Sequence, residues 1–229
     1  MRRAEHDGPA NGGGATGRAA EQRQGGEFAT PLGLLRNGRL VFASGASCVT
    51  VRADPSMPDL YRAHFEGRAP RVAAEGGTVT IRYPRFPHFD RLGYLRERPA
   101  ELALNASIPW DVEIRDGASR LTADLRGLEL RSFEVSGGAS RLELTLPPPA
   151  GTVPVRILGG ASNVAIHRLE AAAARVRVGG GSTNLAFDDQ RFGAVGGELS
   201  LRSPDYERAS DRYDITITGG ASGLIIDAG

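Results

Sequence analysis

The sequence predicts an all-β protein, namely a right-handed single-stranded parallel β-helix, or β-solenoid, with about 20–22 residues per turn. The first observation behind this prediction is a recurring phrase of the type Gly-Gly-Ala-Ser. Its serine position advances by 21, 22 and 20 residues and then by 40, which equals two steps of 20. The second observation is that each phrase opens a run of alternating apolar and polar residues, the pattern of a half-buried strand. Two such runs fit into each repeat and leave no room for a crossover helix, so each strand should pair in parallel with the strand one full turn earlier.

The repeated phrase suits a corner between two strands. Glycine can adopt a positive φ without a Cβ clash, and alanine and serine are small enough to stack on their copies in the next turn. The serine hydroxyl can also hydrogen-bond to nearby backbone at a bend. We therefore predict a structural role in turns for Gly117, Ser119, Gly138, Ser140, Gly160, Ser162, Gly181, Ser182, Gly220 and Ser222.

Along the chain, the sequence predicts one tail followed by one domain. Residues 1–27 are rich in Gly, Ala and Gln and show no apolar periodicity, so we expect a disordered tail. Residues 28–229 are expected to form a single β-solenoid domain. Irregular insertions are predicted near residues 54–75, 84–99 and 203–212, where prolines and polar residues interrupt the alternation.

The apolar strand near the C-terminus is the first candidate interaction site. It contains Leu224, Ile225 and Ile226, and the sequence ends at Gly229. The sequence therefore predicts that this strand is the open last rung of the coil. Because an open rung has unpaired backbone groups, we expect it to pair with a second copy of the chain or with a partner strand.

The aromatic loop at 84–99 is the second candidate. It contains Phe86, His88 and Phe89 among several prolines and arginines. If these side chains stand away from the coil, they favour a ligand-binding groove. If they cover the end of the coil, they favour a scaffold.

Composition excludes several classes of function. The 229 residues include 28 basic and 27 acidic side chains, and a net charge of +1 does not favour binding to nucleic acid. The single cysteine, Cys48, excludes an internal disulfide framework. No apolar run is long enough for a membrane helix, and the residues after Met1 lack the apolar stretch of a secretory signal. We expect a cytoplasmic protein without direct membrane insertion.

The sequence contains no motif that predicts catalysis, a cofactor or a metal site. The histidines lack metal-ligand spacing, and the glycine-rich segment 179–183 lacks the lysine of a phosphate-binding loop. Asp188, Asp189 and Arg191 resemble the outer carboxylates and arginine of carbohydrate-active β-helix enzymes, but a polar turn explains them more simply. We therefore predict that the protein is not an enzyme and keep the carbohydrate-active enzyme as the weakest alternative.

The Gly-Gly-Ala-Ser strands resemble a bacterial family of adhesin-like, or toastrack-like, domains of unknown function. They are similar to the C-terminal β-solenoid of envelope-stress proteins of the LiaF type. The supporting stretches are 110–146, 153–166 and 213–226, and the resemblance covers roughly residues 34–228. It implies a right-handed β-helix with a role in scaffolding, assembly or envelope-stress signalling, and no catalytic residues.

Two hypotheses for the function follow. The first is a scaffold or interaction module that binds a protein partner or itself through the faces or ends of the solenoid. The second is a ligand-binding module that uses the aromatic loop at 84–99.

Overall fold

The computed structural model describes residues 21–23, 26–66, 69–83 and 99–229. Twenty β-strands make up the regular structure of these residues, and no helix long and apolar enough to cross a membrane occurs among them. The strands are β1 (Glu21–Arg23), β2 (Glu27–Pro31), β3 (Gly38–Phe42), β4 (Ala46–Asp54), β5 (Asp59–Phe65), β6 (Arg71–Glu75), β7 (Thr78–Arg82), β8 (Ala100–Asn105), β9 (Pro109–Arg115), β10 (Ala118–Asp124), β11 (Glu129–Ser136), β12 (Ala139–Thr145), β13 (Thr152–Leu158), β14 (Ala161–Arg168), β15 (Ala173–Val178), β16 (Ser182–Phe187), β17 (Gln190–Val195), β18 (Leu199–Arg202), β19 (Arg212–Ile217) and β20 (Ala221–Ala228).

The strands form two mostly parallel sheets that enclose one apolar core. The 11-stranded sheet has the order β1-β2-β5-β8-β4-β10-β12-β14-β20-β16-β17, and the 9-stranded sheet has the order β18-β15-β19-β13-β11-β9-β3-β7-β6. A typical turn of the coil places one strand in the 9-stranded sheet, such as β11, and the next strand in the 11-stranded sheet, such as β12. The predicted β-solenoid is confirmed.

The repeats stack in register. Ala118 pairs with Ala139, which pairs with Ala161, and Ala161 pairs with Ala221. These alanines are all buried, as are the apolar residues that follow them at the alternate positions. The buried columns run along the solenoid because each strand places the same side of its pleat toward the core.

The order of the turns in space differs from their order in the sequence. Strand β19 lies between β13 and β15, and strand β20 lies between β14 and β16. The last turn of the chain is therefore inserted into the stack. The serine step from Ser162 to Ser182 joins two strands that are not neighbours, because Ser222 lies between them.

Both ends of the solenoid contain antiparallel strands. Strand β5 pairs antiparallel with β2 and β8, and β6 pairs antiparallel with β7. The prediction of an irregular insertion at 54–75 is therefore wrong for these two strands, because the prolines before Asp59 turn the chain back into the sheet. Strand β1 also lies inside the segment predicted as a tail, and it pairs with β2.

The predicted corner geometry is correct for some glycines and wrong for others. Gly117 and Gly181 have φ values of 93° and 77°, but Gly138, Gly160 and Gly220 are not in the positive-φ region. The positive-φ position that recurs in the repeats is instead the residue after the serine, or after Thr183 in the copy that begins at Gly180. It is occupied by Cys48 (54°), Arg120 (51°), Arg141 (53°), Asn163 (52°), Asn184 (52°) and Gly223 (63°).

Several corner glycines are needed because backbones of adjacent turns approach closely. A Cβ on Gly159 would lie 2.6 Å from the carbonyl oxygen of Gly137, and one on Gly219 would lie 2.8 Å from Gly159 backbone atoms. The stacked corners are joined by backbone hydrogen bonds, such as Ala139 N–H to the Gly160 carbonyl at 2.9 Å. The glycines thus allow the hydrogen-bonded ladder to continue around the corner.

Candidate docking site at one end of the solenoid

The C-terminal strand is not an open rung, so the predicted pairing through its backbone edge is wrong. Strand β20 has β14 on one side and β16 on the other. Leu224 and Ile226 are fully buried in the core, whereas Ile225 points outward and is 43% exposed. Chain order suggested an edge here, but the inserted position of β20 supplies partners on both sides.

The other predicted interaction residues, Phe86, His88 and Phe89, lie outside the described residues, and the use of the aromatic loop stays a prediction. The predicted turn residues lie at the stacked corner. Ser119, Ser140, Ser162 and Ser222 occupy one column along the solenoid, and Thr183 continues it. The Thr183 hydroxyl donates a hydrogen bond to Ser222 Oγ at 3.2 Å.

One end of the solenoid is formed by β17 and β18, and the outermost strands at the opposite end are β1 and β6. Strand β17 pairs antiparallel with β16 at the edge of the 11-stranded sheet, and β18 pairs antiparallel with β15 at the edge of the 9-stranded sheet. Among the described residues, no strand pairs with the outer edge of either. Edge strands offer unpaired backbone donors and acceptors to another chain, so this end, called here the β17–β18 end, is a candidate docking site.

Apolar side chains of this last rung are only partly covered. Phe192 of β17 and Leu199 and Leu201 of β18 pack against the core but remain partly exposed. Their neighbours one rung inward, Val176 and Val178, are fully buried. The difference arises because no further rung of the described part of the chain lies on top of β17 and β18.

Charged residues surround the apolar rung on the 9-stranded side. Glu198 and Arg202 are exposed and flank the alternating segment Leu199-Ser200-Leu201. The Arg202 guanidinium contacts the carboxylate of Glu207, and both side chains are more than half exposed. An ion pair this exposed contributes little to stability, so Arg202 remains available to another acidic group.

The segment that follows β18 is held firmly against the outer face of the 9-stranded sheet. The ring of Tyr206 lies between the guanidinium groups of Arg175 and Arg212, at 4.8 Å and 4.9 Å from its centroid. Arg175 also pairs with Asp214 at 2.8 Å, and this hydrogen-bonded carboxylate raises the pKa of Arg175 above its usual value. These contacts fix the return of the chain into β19 and hence the position of β18.

A buried ion pair holds the turn before β17. Arg168 is 3% exposed, and its guanidinium bonds to the Ala172 carbonyl at 2.6 Å and to both carboxylate oxygens of Asp188 at 2.6 Å and 2.5 Å. Asp188 has a positive φ of 50° and begins the turn from β16 to β17. Asp188 therefore has a structural partner, which argues against its use as one of a pair of catalytic carboxylates.

The described residues contain one further concave feature beside this end. A shallow open groove of about 570 Å³ lies between the serine corner and the last residues of β17. Its walls are mostly glycine backbone and small side chains, among them Ser162, Thr183 and Ser222. No cluster of three or more His, Cys, Asp or Glu side chains that could hold a metal ion occurs in the described part of the chain.

Sequence reasoning missed the β17–β18 end as a site. Gly196-Gly197 opens an alternating segment that the sequence predicts as one more strand of the coil, without the Ala-Ser pair. Alternation gives no signal of the reversal, because it is the same for parallel and antiparallel strands. In the structure, β17 pairs antiparallel with β16, and β18 pairs antiparallel with β15.

Comparison with known proteins supports this architecture. Residues 69–167 match a family described as the N-terminal domain of toast_rack, DUF2154. The fold is similar to the crystal structure of a protein from Clostridium sporogenes ATCC 15579 that is provisionally described as a cell adhesion protein. That similarity has a TM-score of 0.68 at 16% sequence identity and covers 89% of this chain and 99% of the other. No curated protein matches the chain.

Proposed function

We propose that this chain is a non-catalytic interaction module of the toastrack-like type that docks a protein at its β17–β18 end, and the match of residues 69–167 to the N-terminal domain of toast_rack supports the proposal. The single observation that carries the proposal is the juxtaposition of two free strand edges with a partly exposed apolar rung. A protein strand added to such an edge gains backbone hydrogen bonds and covers apolar surface.

The preorganised frame around this end supports the proposal. The contacts of Tyr206 hold the segment after β18, and the Arg168–Asp188 pair holds the turn before β17. The end strands therefore lose little conformational freedom when a partner docks. Binding by a surface that is already ordered loses less conformational entropy than binding by a mobile segment. The solved relative's description as a cell adhesion protein agrees with an interaction role, and a role in envelope-stress signalling stays a prediction from the resemblance to LiaF-type proteins.

Site-specific photo-crosslinking in cells that make the protein tests the proposal. A photo-reactive residue replaces Ser200, which is exposed on β18, and in a matched control it replaces Thr122, which is exposed in the middle of the 11-stranded sheet. We expect protein adducts at position 200, with several-fold lower yield at position 122. Equal yields at both positions, or no adduct at position 200, would contradict the proposal.

A further inference from the structure

We infer that the protein docked at the β17–β18 end is a second copy of the same chain, paired antiparallel through β18 about Ser200. This inference rests on the proposed docking function and specifies its partner. It follows from the order of side chains along β18, from the symmetry of the end and from its charges.

The segment from Glu198 to Arg202 is complementary to its own reverse. Its order is Glu-Leu-Ser-Leu-Arg, with Leu199 and Leu201 facing the core side and the other three residues exposed. Antiparallel pairing centred on Ser200 places Glu198 opposite Arg202 of the second copy, and the reverse pair forms at the other end. Leu199 then lies opposite Leu201, so each cross-strand pair is of a favourable type.

One symmetry operation extends both sheets at once. A two-fold axis along the sheet normal reverses strand direction, so it brings β18 antiparallel to its copy and keeps each sheet on its own side. The same rotation places β17 beside its copy at the edge of the 11-stranded sheet. An isologous contact of this kind closes on itself and yields a dimer rather than a fibre.

The dimer contact would also cover the partly exposed apolar rung. Phe192, Leu199 and Leu201 of one copy would meet the same residues of the other, as successive rungs do within the solenoid. Arg202 can exchange its contact with Glu207 for one with Glu198 of the second copy, because both present partners are largely solvent-exposed. Charge and apolar surface therefore select the same arrangement.

Analytical ultracentrifugation of the full chain with charge-reversal variants tests this inference. The wild type should dimerise, and Glu198→Arg or Arg202→Glu should each weaken self-association about tenfold or more, because each variant places like charges opposite each other twice. An equimolar mixture of the two variants should regain dimers, since every Arg then faces a Glu. Glu143→Arg and Arg156→Glu, which alter exposed residues within the two sheets, should leave association unchanged.

The outcomes separate this inference from the proposed function. A wild-type chain that stays monomeric while crosslinking at position 200 captures a different protein would overturn self-pairing and leave the docking function intact. The inference would also be overturned if the dimer dissociation constant were the same for the wild type, for both charge-reversal variants and for their mixture. Circular dichroism of each variant should give the wild-type spectrum. That result would show that the variant keeps the fold and has lost only the dimer contact.

Discussion

At the scale of single residues, a column of left-handed backbone conformations runs along the serine corner. Arg120 and Arg141 have φ values of 51° and 53° at the position where Gly223 has 63°. The left-handed conformation costs a residue with a Cβ roughly 1–2 kcal/mol, and glycine avoids most of that cost. Some turns of the solenoid therefore contain a strained residue at a site that another turn fills with glycine.

We predict that Arg141→Gly stabilises the fold by about 0.5–1 kcal/mol, because relief of the left-handed strain exceeds the added entropy of the unfolded chain. Urea denaturation followed by circular dichroism measures the change. Glu143→Gly is the control, since Glu143 is also exposed on β12 but does not have a positive φ. That control should lose about 0.5–1 kcal/mol, and an equal loss in Arg141→Gly would show that the corner is not strained.

The same column shows what the sequence could predict at this scale. Asn163, Asn184 and Gly223 belong to residue types that favour a positive φ, but Arg141 and Cys48 do not. The sequence phrase therefore identified the corner and its small buried alanines. It assigned the positive φ to Gly138 and Gly160, because glycine permits that conformation without requiring it, and the backbone places it three residues further on.

At the scale of elements, the backbones of adjacent turns approach closely at the corners. Gly159 faces the Gly137 carbonyl oxygen so closely that a Cβ would lie 2.6 Å from it, whereas a Cβ on Gly138 would lie 3.3 Å from the Gly160 oxygen. Both neighbours are backbone atoms, so they cannot rotate away as a flexible side chain could. The glycines of the repeated phrase therefore differ in how much room they leave for a Cβ atom.

We predict that Gly159→Ala lowers the free energy of unfolding by about 1–3 kcal/mol, as overpacking of a close-packed region does. Thermal unfolding of the full chain measures the loss. Gly193→Ala is the control, because Gly193 lies in β17 and its added Cβ would meet no atom within 4 Å. Similar midpoints for the two variants would contradict the role assigned to the corner contact.

The end strands were harder to predict than the corners. Alternation of apolar residues predicted that Leu199 and Leu201 belong to a strand, and they do. It could not predict the antiparallel direction of that strand, because alternation is the same for both directions. Strand β18 has no partner on its outer side among the described residues, and this edge creates the candidate docking site.

At the scale of the whole molecule, the repeated phrase specifies stacking but not the order of the stack. Ala161 could pair with Ala221 or with Ser182, because each copy presents nearly the same small residues and corner backbone to its neighbour. The sequence order favoured Ser182. The antiparallel return through β17 and β18 ends the stack after β15 and β16, so β19 and β20 take the interior position between β13–β14 and β15–β16.

This interior position predicts unusual protection of the C-terminal strands. Amides of β19 and β20 bond to strands on both sides, as those of β12 and β14 do, whereas β17 and β18 have one partner each among the described strands. Because exchange from a central strand requires the opening of both neighbours, we expect β20 amides to exchange as slowly as β14 amides and far more slowly than those of β17. Hydrogen exchange with mass spectrometry, at a protein concentration low enough to limit self-association, measures all three strands in one sample.

The contrast between Ile226→Lys and Ile225→Lys provides a second measurement, because only Ile226 is buried in the core. The first variant should unfold the solenoid or lower its stability by about 2–5 kcal/mol, and the second should change it by less than about 0.5 kcal/mol. Fast exchange throughout β20, or equal stability of the two variants, would place the C-terminal strand at an edge and contradict the inserted turn.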